Sequence, residues 1–445
     1  MNIISNNSYI RLPTQETERI NQISNKQNYT YSQKEISNII KQLIIFNIFS
    51  SLAIITIIVF FCIKLTGPKR EVDKEKRLEI YDGLKPKREL KEYISFCIQG
   101  KLSNEINISQ IIKPKISIII PIYNKQDYIL RILRSIQNQQ FQDTEIIFTD
   151  DNSKDKSISV IEKYQKKDPR IKLVKHSKNV GTLINRNDGA INSKGEYLLF
   201  IDADDMLFNN TLNRIYSLAI EKNVEILQFR AYWGRDLEDY FFYEEYGFKH
   251  KTSIIEQPEL SKLMYYEYED QNKTLQTEYN LWGKLIKREL FLKVLDNISK
   301  YYLNQHMTLH EDGLILFILF KIAKTYLYIN EFGMFYLINE EGSLANLRND
   351  ENINKTIRDS FLYLKFMFEY TGDSSYEKNM AVWQFKFILS QFKYVFHKTT
   401  NGFDFIYDVI EMYLGCKYIN DNDKEIMRKT MYDIELVEMK LKSKI

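Results

Sequence analysis

The chain has 445 residues, 44% of them hydrophobic and 27% charged, which is room for a sizeable core and about two or three domains. Its 62 Lys and Arg stand against 59 Asp and Glu, well mixed along the sequence, and the net charge of +3 argues against a nucleic-acid surface. The three cysteines, Cys62, Cys97 and Cys416, lack metal-ligand spacing and argue against a zinc site; Cys97 and Cys416 are available to pair, with two lone thiols the simpler state.

Residues 1–41 are polar, rich in Asn, Ser and Gln, and read as a disordered tail. Residues 42–64 contain an uncharged run, Leu43–Ile63, flanked by Lys41 and Lys64. As a helix it spans the roughly 30 Å of a bilayer core, and no small-residue cleavage site follows it, so a single uncleaved transmembrane anchor is expected. Lys64, Lys69, Arg70, Lys74, Lys76 and Arg77 outnumber Lys26, Lys34 and Lys41 across it, which favours the C-terminal side in the cytosol. Residues 65–113 are charged, include Pro68, Gly83 and Pro86, and read as a stem.

At 114 the composition changes. Apolar strands are expected at Ile116–Ile122, 144–149, 171–175, 196–202 and 224–230, alternating with helices at about 126–139, 154–167, 181–192 and 209–222. Such alternation predicts an α/β domain with a mostly parallel sheet flanked by helices, whose ligands bind at the C-terminal strand ends. Beyond 231 the pattern turns irregular and aromatic, with a helix from about 311 to 324 and short strands near 325–338. Residues 346–445 read as a helical C-terminal extension.

Polar residues cluster at the expected strand ends. The first strand closes on Pro121-Ile-Tyr123-Asn124-Lys125, where proline stops the ladder. The second closes on Asp150-Asp151-Asn152-Ser153, a base- or ribose-binding carboxylate on one reading and a helix cap on the other. Asn179-Val-Gly181 opens a helix that carries Arg186, placed either to meet a diphosphate with two donors or simply at the surface. The sharpest feature is Ile201-Asp202-Ala203-Asp204-Asp205. Carboxylates crowded at a strand end are costly unless a cation neutralises them, and oxygen ligands beside a diphosphate suit Mn²⁺ or Mg²⁺. Further on stand Asn280-Leu-Trp282-Gly-Lys284-Leu and His310-Glu311-Asp312-Gly, the latter a candidate general base or a carboxylate pair drawn to a helix N-terminus.

In this order the motifs resemble the family 2 glycosyltransferases of GT-A fold, over about 115–345. The resemblance implies a Rossmann-like GT-A domain at 114–345, with 114–231 the nucleotide-binding half and 232–345 the acceptor half. It implies that Pro121, Tyr123, Asn124, Asp151, Arg186 and Asp202 line the nucleotide-sugar pocket. Asp202 and Asp204 would hold the metal, Asp312 would be the catalytic base and Glu311 its neighbour. Asn185 replaces the small residue expected before Arg186, and the Gln-x-x-Arg-Trp motif of processive synthases is absent. The implied reaction is metal-assisted single displacement from a nucleotide-sugar, UDP by family habit, to a glycan, lipid or protein hydroxyl. Single-anchor enzymes of this kind in the endoplasmic reticulum or Golgi usually have the topology opposite to the one the flanking lysines favour, so the two cues conflict. Two other readings are an inactive GT-A binding protein and a nucleotidyltransferase; the latter would need a Gly-rich basic loop that Pro121–Gln126 does not supply.

Overall fold

The computed structural model describes residues 113–234, 253–263, 265–267, 275–277, 280–337, 350–371 and 403–415, with single positions between 92 and 100, 377 and 388, and 421 and 429. The expected tail, the anchor Leu43–Ile63 and most of the stem lie outside the described residues, as does Cys416. Among the described residues no helix is long and apolar enough to cross a membrane.

The first half follows the expected alternation: β1 (Ile116–Ile122), α1 (Gln126–Gln137), β2 (Thr144–Asp150), α2 (Ser157–Gln165), β3 (Ile171–Lys175), α3 (Thr182–Ile191), β4 (Tyr197–Phe200), the short β5 (Met206–Leu207), α4 (Thr211–Glu221) and β6 (Ile226–Gly234). β1 is buried on both faces, as the run Ile-Ser-Ile-Ile-Ile demands of a central strand under two helical layers. α1 buries Ile129, Ile132, Leu133 and Ile136, the i, i+3, i+4, i+7 stripe of a helix lying on a sheet. α3 sits very close to β1: a Cβ at Gly189 would lie 2.5 Å from Ile119 Cγ2, so only glycine fits there.

The second half holds β7 (Ile255–Glu256), a 3-10 turn at Leu260–Lys262, a separate hairpin of β8 (Tyr265–Glu267) and β9 (Leu275–Thr277), and β10 (Lys284–Lys287). It continues with α5 (Arg288–Asp296), α6 (Lys300–Leu303), α7 (Glu311–Ile322), β11 (Thr325–Leu337), α8 (Asp350–Tyr370) and α9 (Phe403–Gly415). The main sheet has nine strands in the order β3-β2-β1-β4-β10-β6-β11-β5, with β7 beside β11. It is mixed: β10 lies antiparallel between β4 and β6, at the centre of what the strand–helix alternation alone makes parallel. The strands expected near 325–338 are one thirteen-residue strand, whose register slips between Tyr328 and Phe332 and again before Met334.

α7 decides how the second half packs. Every residue from Gly313 to Phe320 is buried, so the helix is apolar on all sides. A single core joins Leu314–Phe320 with Phe200, Ile286 and Phe291 on one side and Ile357, Phe361, Leu364 and Phe368 of α8 on the other. Each such large side chain contributes roughly 1.5–3 kcal/mol by leaving water.

Candidate active site

Three strand ends build the site. β1 and β2 run in parallel register from Ile116↔Thr144 to Ile122↔Asp150, so their C-terminal loops emerge side by side. Asn124 ties them together: its amide donates to Ser153 Oγ at 2.9 Å, and its Oδ1 accepts from the Lys154 amide at 2.8 Å. Asn124, at φ 53°, and Asn152, at φ 63°, take the left-handed turn that Asn tolerates better than most residues. Pro121 is half-buried beside Thr149, and Tyr123 is 48% exposed.

Asp151 is buried, and both of its oxygens are taken by backbone: it accepts from Val180 N at 2.6 Å and Gly181 N at 3.0 Å. This fixes the turn into α3, where Gly181 has φ 88° and a Cβ would meet the Met307 carbonyl oxygen at 2.9 Å. Behind it, His176 Nε2 lies 2.8 Å from Asp188.

β4 delivers Asp202, Asp204 and Asp205, and the structure shows cations of the chain itself beside two of them. Lys125 Nζ pairs with Asp204 Oδ2 at 2.6 Å, and Arg186 Nη2 with Asp202 Oδ1 at 2.8 Å. The Arg131 guanidinium caps the Asp204 backbone carbonyl. Burial opposes the Lys125 charge, but Asp204 outweighs it and holds the ammonium above its usual range. Asp205 turns inward; its Oδ1 accepts from Leu337 N at 3.0 Å, while burial, then Asp204 and Asp202, push its carboxyl well up.

Arg186 also reaches across the domain. Its Nη1 pairs with Glu311 Oε1 at 2.9 Å and with Asp312 Oδ1, so one guanidinium joins the Asp-x-Asp strand end to the start of α7. The second Asp312 oxygen accepts from Leu281 N at 3.0 Å. Burial opposes the Arg186 charge, yet the three carboxylates hold it strongly protonated. The carboxyls are nevertheless pushed up: Glu311 by burial and then by Asp312, Asp312 by burial against the pull of Arg186. The two trends agree on a charge count. One buried cation cannot neutralise three carboxylates, so a proton is favoured on the pair.

Asp202 and Asp204 each keep one oxygen without a protein partner among the described residues. No three His, Cys, Asp or Glu side chains there converge as a metal cage. Two hard carboxylate oxygens completed by phosphate oxygens are nonetheless a usual way to hold Mg²⁺, so the donor set fits.

The expected site residues therefore fall into two connected groups. Asp202, Glu311 and Asp312 meet on Arg186, and Asp204 pairs beside them with Lys125. Pro121, Tyr123, Asn124 and Asp151 shape the neighbouring loops. Sequence reasoning missed Lys125 as the partner of Asp204, although it directly follows Asn124. It also missed the ring pair Trp282–Tyr336, 5.1 Å apart, whose chain neighbours Leu281 and Leu337 bond Asp312 and Asp205.

A strand-end acidic cluster on this mixed, helix-covered sheet is the arrangement of a GT-A glycosyltransferase. The model of glycosyl transferase family 2 matches residues 117–305, less than half of the chain. Glycosyltransferase GlyA of Streptococcus pneumoniae is 26% identical over 237 residues, 53% of this chain and 32% of its own. The GalNAc(5)-diNAcBac-PP-undecaprenol beta-1,3-glucosyltransferase of Campylobacter jejuni is 40% identical over 109 residues, 24% of this chain and 35% of its own. The chain thus spans about a third of the length of these two relatives. The crystal structure of S. aureus TarS 1-349 in complex with UDP-GlcNAc shares the fold at a TM-score of 0.51 and 18% identity, over 74% of this chain and 92% of that one.

Proposed function

We propose that the protein moves a sugar from a UDP-linked donor to an acceptor hydroxyl with inversion at the anomeric carbon. The observation that carries this is the convergence of Asp202 and Asp312 on Arg186, which sets a buried carboxylate of raised proton affinity beside the strand-end acids of a family 2 domain. Support for the donor comes from the shared fold with a protein solved holding UDP-GlcNAc, and for a lipid-linked glycan acceptor from the name of the Campylobacter relative.

Pro121, Tyr123, Asn124 and Asp151 form the nucleotide side, with Asp151 holding the turn at Val180 and Gly181. Asp202 and Asp204 would hold Mn²⁺ or Mg²⁺, which supplies positive charge for the leaving diphosphate when bound. Asp312 takes the acceptor proton. Its burial makes it a better base than a free carboxylate, and its bonds to Leu281 N and Arg186 fix its direction. Arg186 keeps the base and the donor-side acids in one frame, and Glu311 shares the excess proton. The uncharged run Leu43–Ile63 would anchor the enzyme, in the endoplasmic reticulum or Golgi, and should resist an alkaline carbonate wash; release by that wash removes the anchor from the proposal.

The test is turnover of UDP-glucose, UDP-galactose and UDP-GlcNAc by the full chain with Mn²⁺, alongside calorimetric binding of UDP. Turnover of at least one donor, with the opposite anomeric configuration in the product, is expected. A chain that neither binds UDP nor consumes any of the three is not this enzyme.

A further inference from the structure

The matched domain ends at residue 305, six residues before the carboxylate pair on which the proposed reaction rests. What holds those six residues comes from α8, outside the match. Asp359 is fully buried, and its Oδ2 accepts from the amides of Thr308 at 3.0 Å and Leu309 at 3.2 Å. Arg358 donates to the His306 carbonyl and to Gln305 Oε1, both at 2.9 Å, and pairs with Asp359 Oδ1 at 3.0 Å. The next residue, Ser360, places its Oγ 3.0 Å from His310 Nε2, and one turn along the Tyr363 ring stacks on His310 at 5.5 Å and 9°.

His310 is the residue on which Glu311 and Asp312 turn. It sits at φ 60°, a conformation most side chains avoid, and so needs its surroundings to hold it. The same segment also grips the nucleotide side. His306 Nε2 lies 2.6 Å from Asn179 Oδ1, and the Met307 carbonyl accepts from Leu183 N at 3.1 Å. The segment 305–310 is thus a strut with α8 behind it, the nucleotide-side turn on one flank and the carboxylate pair at its end.

We infer that α8 sets the placement of the proton-accepting pair, and that Asp359 is the positioning residue through which it does so. This rests on the reading of Asp312 as base. Asp359 touches neither donor nor acceptor. It binds two successive amides, and so fixes the backbone that delivers His310 to its turn. A displacement of about 1 Å at a reacting group is enough to slow a reaction about a hundredfold.

The experiment uses the full chain and whichever of the three UDP-sugars it consumes. Asp359→Ala should lower kcat by about 10- to 100-fold while KM for the donor and the UDP affinity stay within about twofold of wild type. Asp359→Asn should recover most of the loss, because its amide oxygen accepts from the same two N–H groups. In an Asp312→Asn background, adding Asp359→Ala should change kcat no further, since the residue acts through the base. Wild-type kcat in Asp359→Ala overturns the inference, as does a parallel loss of UDP binding or full additivity with Asp312→Asn. If Asp359→Ala does not fold, Arg358→Ala decides: its side chain is 31% exposed, and a selective loss of kcat is expected, while unchanged kcat overturns. Asp312→Asn at wild-type rate removes the base assignment and this inference with it. An inactive Asp312→Asn beside a fully active Asp359→Ala removes only the inference.

Discussion

The sheet carries buried carboxylates at both of its ends, and they are treated in opposite ways. At the N-terminal end Glu145 is enclosed by donors: the Ser117 hydroxyl, the amides of Lys194 and Gly195, and the Lys172 ammonium. Burial alone would raise its carboxyl, but these partners win and hold it below the ordinary range. At the C-terminal end Asp205, Glu311 and Asp312 have too few donors and are pushed up. A satisfied carboxylate fastens loops. An under-satisfied one keeps a demand for protons and cations, which is a mark of a working site.

Substitutions that keep shape and remove charge separate the two ends. The largest effect is expected for Asp312→Asn, with transfer slower by about 10²–10⁴-fold and UDP affinity nearly unchanged, read by kinetics paired with calorimetry. Next comes Asp204→Asn, which should weaken Mn²⁺-dependent UDP binding by at least about tenfold, the equivalent of about 1.4 kcal/mol. EDTA should do the same to wild type, and binding indifferent to both would strip Asp204 of its metal role.

At the other end Glu145→Gln should leave kcat alone and lower unfolding stability by about 1–3 kcal/mol, since it weakens the bonds that the Ser117 hydroxyl and the Lys194 and Gly195 amides make to a buried carboxylate. The lowered Glu145 carboxyl stabilises the fold above its unfolded value of 4.5, and that contribution fades as pH falls through the folded value. Denaturant midpoints of wild type and variant should therefore converge in acid; a constant gap would mean that charge is not the reason.

The smallest effect concerns His310, whose imidazole burial pushes down to about 4 from 6.5. The unfolded chain binds the extra proton between these values, so stability rises with pH from about 4 to 6.5. His310→Asn tolerates the same left-handed turn and does not titrate, so that slope should flatten. An unchanged slope would place the titration elsewhere.

Much of the first half was legible because β1, β2 and β4 are buried on both faces and read as unbroken apolar runs ending in polar residues. β10 was not, because a four-residue strand that begins with a lysine carries no periodic signal. Lys284 is fully buried and donates to the Asn280 carbonyl at 2.6 Å, a partner that only the tertiary turn supplies. β11 read as fragments because the exposed Asn330 and then Gly333 interrupt it, where Phe229 presses to within 2.5 Å of a Cβ position. In the site, the carboxylates and Arg186 were visible one by one. Their union was not, since Arg186 and Asp312 are 126 positions apart and no local pattern links them. Neutralisation of the Asp202–Asp205 cluster, expected of a bound cation, falls in part to Lys125 and Arg186.

The all-apolar character of α7 bears on how the protein is made. Synthesis runs from the N-terminus, so α7 leaves the ribosome before α8, its cover. Until residues 350–370 emerge, one face of Leu314–Phe320 has nothing to bury it. β1 to β4 can pair early among themselves, whereas β6 must wait for β10, and the part that carries Asp312 must wait for chain beyond residue 350. A nascent or shortened chain ending near residue 345 would expose an apolar helix to chaperones and to its own copies, and recombinant fragments that stop there should aggregate rather than report on the chemistry.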